Sequence, residues 1–324
     1  MVIMKYFKGE GNMTLGLALS GGGIRGASHI GVLRALEEAG LKPGIIAGTS
    51  AGSIVASLYA VGLTPDDIEK AFFKYAPYIL DFDIMGAFGM ALHLCGLMRG
   101  RPVLDGLIKG KTAEKIMAAL TGGKKMYQAD IPLAITATDI NDGTAVVFAS
   151  RRLRLQSTRN VICCGQVSIS EAVRASIAIP VVFKPKILNL EGRERRLVDG
   201  GVANNLPVDV LRTMGANRII GINLGYSGQR QDQVDNILEI GSQTIDIMMY
   251  HITKLRMGRE NVVELKHNGR STAYPAVLNH ETVVLNPYIY DVSLLEMGRI
   301  AECIERGYAA VKARLPEIRR ILKI

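Results

Sequence analysis

The strongest constraint on the fold of this 324-residue chain is a pattern that occurs twice near its start: a short apolar run, a glycine-rich turn and an apolar helical segment. Residues 15–20 (LGLALS) precede the first turn, and residues 44–48 (GIIAG) lead into the second. Runs this short and apolar are typical of strands buried on both faces. Helical segments at 27–40 and 51–60 follow them. This order predicts an α/β fold with a mainly parallel central sheet covered by helices on both faces.

Later segments continue the pattern, with one interruption. Thr64 and Pro65 fit the N-cap and first residue of a helix that reaches about Tyr75. Residues 77–111 mix glycine, methionine and aromatic residues without a clean period, and we interpret them as a small cap insertion. Further predicted elements are strands at 131–139 and 144–149 joined by a hairpin-like Asn-Asp-Gly turn, a helix near 169–176, a strand ending at 198, a helix at 207–214, a strand at 218–224, and long helical patterns at 233–257 and 294–322.

The organisation predicted from these segments is one domain over residues 13–324, with its motifs in 15–225 and a mainly helical C-terminal part at 226–324. Residues 1–12 lack the apolar stretch and cleavage site of a secretory signal, so we expect a disordered extension. The four cysteines, Cys95, Cys163, Cys164 and Cys303, are few and do not have zinc-ligand spacing. We therefore expect reduced thiols, a cytoplasmic location, and no metal or cofactor.

The charge balance bears on the partners of the chain. A formal net charge of +9 favours contact with an anionic surface. Arginines concentrate at 151–159 and 193–196. The chain has no tryptophan and 6% aromatic residues, a poor supply for stacking nucleic-acid bases, so we expect no nucleic acid. Peripheral contact with an anionic membrane fits better, and the sequence carries no signal for an oligomeric state.

The first glycine turn, residues 21–26 (GGGIRG), contains the spacing G-x-G-x-x-G between a predicted strand and helix. A dinucleotide site with this motif also needs an acidic residue at the end of the second strand. That strand ends in Gly48-Thr49-Ser50, which supplies no acid. The dinucleotide interpretation therefore fails, but a glycine turn at a helix N-terminus still offers backbone N–H groups to a negative charge. That charge could be the oxyanion of an acyl-transfer intermediate.

The second turn, residues 48–52 (GTSAG), has the G-x-S-x-G pattern of a nucleophile on a sharp strand-to-helix bend. On its own the pattern is equally compatible with Ser50 as an ordinary helix N-cap beside packing glycines. The preceding strand, the following helix and the glycine turn one unit earlier favour the catalytic interpretation of Ser50.

A serine nucleophile needs a base. The five histidines stand in contexts unlike the histidine loop of an α/β-hydrolase, and we interpret the one in the first helix as a packing residue. A third turn, residues 197–201 (LVDGG), follows a predicted strand and offers Asp199 instead. An isolated Asp-Gly is usually only a turn former, so this alternative stays open on the turn alone. The histidines are His29, His93, His251, His267 and His280.

Taken together and in this order, the three turns resemble the patatin-like phospholipase family, whose pattern is a glycine-rich oxyanion loop, a G-x-S-x-G elbow and a D-G-G/A turn. The segments 29–33 (HIGVL), 175–180 (ASIAIP) and 204–207 (NNLP) resemble the family as well. The likeness covers residues 15–225.

This resemblance implies a three-layer α/β/α fold and a lipid or other acyl ester as substrate. It also implies a Ser50–Asp199 dyad without histidine, in which Asp199 takes the proton of Ser50 and an acyl-enzyme forms. Backbone N–H groups of Gly22, Gly23 and Ile24 would hold the oxyanion, and Arg25 would strengthen that field, meet a substrate phosphate or form a surface salt bridge. The resemblance assigns the oxyanion loop to Gly21, Gly22, Gly23, Ile24, Arg25 and Gly26, the elbow around Ser50 to Gly48, Thr49, Ala51 and Gly52, and the turn after Asp199 to Gly200 and Gly201.

Two other functions remain as alternatives: a non-catalytic lipid-binding or regulatory protein on the same fold, and an esterase with a Ser-His-Asp triad. The dyad makes a physical demand that separates it from both. A free aspartate titrates near ~3.9 and is a poor base at neutral pH, so Asp199 should lie in a partly desolvated site.

Overall fold

The computed structural model describes residues 14–79, 81–83, 105–150, 161–226, 237–257, 262–266, 271–274, 281–293 and 296–324. The predicted N-terminal extension, most of the predicted cap and the arginine cluster at 151–159 lie outside these ranges.

A mainly parallel sheet of eleven strands forms the centre of the described structure, in the order β10-β9-β11-β8-β1-β2-β3-β4-β5. A β6–β7 hairpin joins it through antiparallel pairing of β7 with β3. The strands are β1 (Leu15–Leu19), β2 (Ile45–Gly48), β3 (Leu133–Asp139), β4 (Ala145–Ala149), β5 (Val161–Cys164), β6 (Lys186–Leu190), β7 (Arg193–Asp199), β8 (Arg218–Ile222), β9 (Val262–Lys266), β10 (Ser271–Tyr274) and β11 (Thr282–Asn286).

Helices follow the strands in the α/β order that the sequence predicts. A short 3-10 turn over Gly23–Ala27 precedes the first of them. The helices are α1 (Ser28–Glu38), α2 (Ala51–Ala60), α3 (Pro65–Tyr75), α4 (Lys111–Leu120), α5 (Ile169–Ser176), α6 (Gly201–Asn204), α7 (Val208–Thr213), α8 (Ile237–Met257) and α9 (Ile300–Leu322).

Side chains alternate between two cores, one on each face of the sheet. Leu17 and Leu19 of β1 pack in a large core with α1, α2, α5 and α9. Ala18, between them, faces a smaller core with α7 and Met257 of α8. This period-two alternation gives helix, sheet and helix layers and confirms the predicted α/β class.

The prediction for the C-terminal part is wrong between α8 and α9. Both helices are present, but the segments 262–266, 271–274 and 282–286 between them form β9, β10 and β11 of the sheet and not helix. Strands of four or five residues are too short to display a reliable period, and Glu264 interrupts the apolar run of β9. The apolar face of α9 is buried against the core at Ile304, Val311 and Ile318, as a packed helix requires.

Helices α1 and α9 cross at two glycines. A Cβ atom on Gly31 would overlap the carbonyl oxygen of Ile304 and lie 2.7 Å from the amide nitrogen of Tyr308. A Cβ atom on Gly307 would overlap the carbonyl oxygen of Ser28. The two backbones therefore touch directly, and this contact fixes the C-terminal helix against the first helix of the chain.

Strand β3 determines where the motifs meet. Its residues 134–138 pair with β4 along one edge. Residues 133–135 of β3 pair with β2, and residues 137–139 pair with β7. Because several of these residues also pair with β4, β2 and β7 must both lie on the edge of β3 opposite to β4. The pairing is parallel for β2 and antiparallel for β7, so the carboxyl ends of these two strands point at each other. The turns after Gly48 and Asp199 are thereby brought face to face.

Candidate active site

Ser50 lies at the tip of the turn between β2 and α2, in a backbone conformation that few L-residues adopt (φ 52°, ψ −126°). Such a conformation costs roughly 1–3 kcal/mol and persists only when its surroundings impose it. Here the Ser50 N–H donates to Ser176 Oγ (2.8 Å), and the Ser53 hydroxyl donates to the Ser50 carbonyl (2.6 Å). The bend therefore holds the Ser50 side chain off both the strand and the helix, as a nucleophile elbow does.

The two glycines of the elbow allow α2 to begin directly against the sheet. A Cβ atom on Gly52 would lie 2.6 Å from the carbonyl oxygen of Ser20, beyond the end of β1. One on Gly48 would lie 2.7 Å from the Cα of Ser53. No side chain fits at either position, which explains why the motif needs glycine on both sides of Ser50.

Asp199 is the last residue of β7 and is buried close to the serine. Its Oδ1 accepts the N–H of Gly201 (2.7 Å), and its own N–H donates to Ala178 O (2.9 Å). Burial raises the pKa of Asp199 from 3.8 to about 6, while the hydroxyl of Ser50 and the N–H of Gly201 act in the opposite direction as donors to the carboxylate. The site therefore has the partial desolvation that the dyad demands, and the carboxylate remains the main form at neutral pH.

Thr136 fills the gap on β3 between the ends of the two strands. The hydroxyls of Thr136 and Thr49 lie 2.7 Å apart, and Thr49 Oγ1 donates to Asn204 O (3.0 Å). A Cβ atom on Gly200 would collide with Thr136. Thr49 thus ties the serine turn to the aspartate turn, and Gly200 lets the second turn pass over β3.

The glycine-rich loop after β1 lies against the serine. A Cβ atom on Gly21 would be 2.9 Å from Ser50 Cβ. The Gly21 N–H is engaged by Asn205 Oδ1 (3.1 Å). Within the described ranges, the next three N–H groups, those of Gly22, Gly23 and Ile24, donate to no acceptor. Their assignment to an oxyanion hole stays a prediction, although they are free to serve in one.

Gly26 and Ala51 pack the loop onto the elbow, since a Cβ atom on Gly26 would overlap that of Ala51.

Arg25 turns away from the serine. Its buried guanidinium donates from Nε to Val292 O (2.6 Å) and from Nη2 to Tyr290 O (3.5 Å), and it faces the carboxylate of Asp246 electrostatically. The structure thus places Arg25 in a structural role between the loop and the C-terminal segment, and not on the surface.

The histidines in the described ranges have no catalytic geometry. His29 is fully buried in α1, and its Nε2 donates to Ser20 O (2.9 Å). Burial lowers its pKa to about 4, so it is neutral and holds the loop backbone. His251 is on the exposed side of α8. The others, His93, His267 and His280, lie outside the described residues.

Four residues that build the site were not singled out from the sequence: Ser176, Thr136, Asn205 and Met249. Met249 of α8 reaches the aspartate turn, where a Cβ atom on Gly201 would lie 2.7 Å from its Sδ. Only the segments around Ser176 and Asn205 carried a signal, through their likeness to the family.

Among the described residues, no three His, Cys, Asp or Glu side chains gather as a metal site. In the same ranges no helix is long and apolar enough to cross a bilayer.

These features amount to a strained serine beside a buried carboxylate of raised pKa, with three unengaged N–H groups on the adjoining loop. Comparison with known proteins identifies the family of the chain. Residues 17–212, more than half of the chain, match the family described as Patatin-like phospholipase. The chain belongs to the patatin-like phospholipase family.

Two relatives show the extent of the similarity to that family. An uncharacterized NTE family protein of Mycobacterium tuberculosis is 29% identical over 232 residues, which cover 71% of this chain and 55% of the relative. Human patatin-like phospholipase domain-containing protein 6 is 30% identical over 228 residues, which cover 68% of this chain and 14% of the relative. The chain thus spans about half of the first protein and a small part of the second.

Solved structures with a similar backbone include human GIVD cytosolic phospholipase A2, with a TM-score of 0.47 and 10% identity over 96% of this chain and 60% of that one. VipD from Legionella pneumophila has a TM-score of 0.45 and 15% identity over 95% of this chain and 67% of that one. With TM-scores below 0.5, neither alignment assigns a role to any residue of this patatin-like chain.

Proposed function

We propose that the chain is a serine acyl hydrolase that cleaves carboxylic ester bonds of lipids, with Ser50 as nucleophile and Asp199 as its base. The observation that carries this proposal is the buried carboxylate of Asp199 beside the strained Ser50, with its pKa raised to about 6. A general base is most effective when its pKa lies near the working pH, and burial moves Asp199 towards that range.

The chemistry divides into two halves. Ser50 Oγ attacks the ester carbonyl carbon, its proton passes to the Asp199 carboxylate, and the carbonyl oxygen becomes an oxyanion held by the N–H groups of Gly22, Gly23 and Ile24. Collapse of this intermediate breaks the ester C–O bond, and Asp199 gives its proton to the leaving alcohol. A water molecule, deprotonated by Asp199, then attacks the acyl-enzyme. The fatty acid leaves, and Ser50 recovers its proton.

A lipid substrate is supported by membership of the patatin-like phospholipase family and by the apolar side chain of Met249 at the aspartate turn. Phospholipids, lysophospholipids and simple carboxylic esters share the bond that this mechanism breaks. The purified protein should therefore be tested on all three classes.

Labelling should test the nucleophile directly. A fluorophosphonate probe is expected to modify Ser50, as identified by peptide mass spectrometry, because the attack that forms the acyl-enzyme also displaces fluoride from phosphorus. Excess chelator should change neither the labelling nor the turnover of a soluble ester. A fluorophosphonate adduct on another residue, or turnover that chelation abolishes and calcium or zinc restores, would contradict the dyad. An unlabelled, inactive protein would favour the non-catalytic alternative.

We further propose peripheral contact with a lipid surface, and the structure changes the expected basis of that contact. Of the cluster at 193–196, Arg195 is buried against Asp139 (3.0 Å), and Arg196 pairs with Asp105 (3.3 Å). These two arginines are engaged within the protein and give little attraction to a membrane. Arg193 is exposed, and the cluster at 151–159 lies outside the described residues.

Helix α8 offers a better surface. Its exposed positions run from Ile240 to Leu255, about 22 Å along the helix, and include no Asp, Glu, Lys or Arg among the residues whose exposure the structure describes. A helix face that meets water is normally charged. The opposite side of α8 brings Met249 to the aspartate turn, so the helix that carries this exposed face also contacts the candidate site. These exposed residues are Ile240, Gly241, Thr244, Ile247, Met248, His251 and Leu255.

Serine at both Met248 and Leu255 is expected to lower binding to phosphatidylglycerol-containing vesicles by at least about tenfold. Burying a single leucine-sized side chain contributes about 1.5–3 kcal/mol, and about 1.4 kcal/mol corresponds to a factor of ten. Cosedimentation measures the binding, and turnover of a soluble ester should stay unchanged. The control is Phe73→Ser, since Phe73 is also an exposed apolar residue but lies on α3, in the helical layer on the other face of the sheet. Equal loss in the control would refute the assignment to α8.

A further inference from the structure

Asn205 is a buried residue that connects the aspartate turn to the glycine-rich loop. It follows α6, six residues after Asp199, and its Oδ1 accepts the N–H of Gly21 (3.1 Å). Because a backbone N–H can only donate, this contact fixes the orientation of the Asn205 amide. The same Oδ1 lies 2.8 Å from where a Cβ on Gly21 would be, so the side chain packs against the loop as well as bonding to it.

Three hydrogen bonds hold the start of the glycine-rich loop, and the bond from Gly21 to Asn205 is one of them. The Ser20 hydroxyl donates to Gly21 O (3.0 Å), and His29 Nε2 donates to Ser20 O (2.9 Å). Asn205 binds the N–H of Gly21, which directly precedes the three unengaged N–H groups of Gly22, Gly23 and Ile24. Removing the Asn205 oxygen would leave the peptide between Ser20 and Gly21 held only through Ser20 O, so its N–H end could tilt and shift the peptides that follow.

The surroundings of Asn205 are themselves fixed by a chain of buried side chains. Its Nδ2 lies 3.0 Å from where a Cβ on Gly225 would be. The Gly225 N–H donates to Asn223 Oδ1 (3.3 Å), and Asn223 Nδ2 donates to Asn286 Oδ1 (2.8 Å). Asn286 Nδ2 then donates to Glu264 Oε1 (3.0 Å).

An ion pair closes this chain. Glu264 is 1% exposed, and its Oε2 accepts from Lys254 Nζ of α8 (2.6 Å). A connected and satisfied buried network is stiff, since every member loses a bond if another moves. The network thus joins β9, β11 and the residues that follow β8 to the segment that Asn205 contacts.

We propose that Asn205 is a positioning residue that sets the geometry of the oxyanion loop. It holds Gly21 so that the N–H groups of Gly22, Gly23 and Ile24 converge on the oxygen of the tetrahedral intermediate. This inference rests on the proposed acyl-hydrolase function, but it assigns to Asn205 a task separate from nucleophile, base and donor. Asn205 itself touches neither the ester nor the proton in transfer.

The task predicts a specific kinetic signature. Asn205→Ala should lower kcat for a soluble ester by about 10²-fold, the range seen when one oxyanion donor is removed. KM should change little, because the ground-state ester does not depend on the oxyanion donors. A trifluoromethyl ketone, which forms a tetrahedral oxyanion with the serine, should lose affinity by the same factor as kcat/KM.

Asn204→Ala is the matched control. Asn204 is the neighbouring residue and equally buried, and its Nδ2 donates to Asp209 Oδ1 (2.8 Å), but its side chain makes no contact with the loop among the bonds that the structure describes. Its backbone oxygen, which accepts from Thr49, is kept in the variant. Thermal unfolding of both variants measures the structural cost, which should be similar, while only Asn205→Ala loses kcat and inhibitor affinity.

The outcomes separate the two proposals. If the unmodified protein turns over esters and Asn205→Ala keeps its kcat, the positioning role is wrong while the acyl-hydrolase function stands. Equal losses of kcat in Asn204→Ala and Asn205→Ala, or a loss in Asn205→Ala that leaves inhibitor affinity unchanged, would show a merely structural role. An unmodified protein without ester hydrolysis overturns both proposals.

Discussion

Replacing Ser50 with alanine is expected to lower kcat for ester hydrolysis by about 10⁴-fold or more, and Asp199→Asn should come close to the same loss. Ser50→Ala removes the atom that attacks the ester. Asp199→Asn keeps the shape of the side chain and a hydrogen-bonding oxygen for Gly201, but it cannot accept the proton of Ser50. Steady-state kinetics on a soluble ester, with circular dichroism as a check on folding, measures both effects.

Histidine variants are the controls for this experiment. His251→Ala, His267→Ala and His280→Ala should each keep most of the activity, because the dyad assigns no role to a histidine. His29 is left out of the set, since it is buried and holds Ser20 O. One histidine as indispensable as Ser50 would establish a triad and overturn the dyad.

Asp199→Asn should also stabilise the fold, which separates it from a variant that is inactive because it is misfolded. The pKa of Asp199 is raised from 3.8 to about 6 in the folded state, so between these values the folded protein holds more protons than the unfolded chain. Stability therefore falls as pH rises through this window, and above pH 6 the buried charge costs about 3 kcal/mol. Asparagine removes that cost. The gain in unfolding free energy should be present at pH 8 and shrink as pH falls towards 4.

Alanine at Gly31 is expected to destabilise the protein by about 3 kcal/mol or more, with a loss of roughly 5 °C in Tm. The new methyl group would meet backbone atoms of Ile304 and Tyr308 in α9, which cannot rotate away as a flexible side chain could. Helices α1 and α9 would have to separate, and the large core that α9 covers would open. Thermal unfolding monitored by circular dichroism measures the change.

Gly298→Ala is the matched control for this substitution. Gly298 precedes α9, a Cβ atom placed there meets nothing within 4 Å, and its φ is not positive. Its alanine variant should be neutral or slightly more stable, because alanine restricts the unfolded chain. If Gly31→Ala unfolds at the same temperature as Gly298→Ala, the direct backbone contact between α1 and α9 is wrong.

Local sequence rules predicted those parts of the molecule whose physics is local. The helix at 65–75 begins and ends as predicted, because Thr64 caps it and Pro65 suits its first turn. The β3–β4 hairpin follows from its Asn-Asp-Gly turn, and the elbow glycines from the tight bend at Ser50. Each of these depends on residues within a few positions along the chain, and the sequence displays all of them.

What the sequence did not reveal depends on distant contacts. The engagement of Arg25 by carbonyl groups of residues 290 and 292 requires the C-terminal segment to fold against the loop. Strand β11 forms on the edge that β8 offers, and β9 on the edge that β11 then offers, and not because of their own period. The link from Asn205 to Gly21 joins residues 184 positions apart. No local pattern contains that information.

The alignment of β2 and β7 on one edge of β3 has a consequence for how such a site tolerates change. On β3, Gly48 is paired with Ile135 and Asp199 with Ala137. The ends of β2 and β7 are therefore separated by one residue of β3, Thr136. A slip of two residues would carry the carboxylate about 6.6 Å from the serine, and a slip of one would turn it to the other face. The hydrogen-bond ladder, and not the length of any loop, therefore sets the spacing between the turns that carry Ser50 and Asp199. Loops between Ser50 and Asp199 that lie outside the paired strands can therefore gain or lose length while these two residues stay in register.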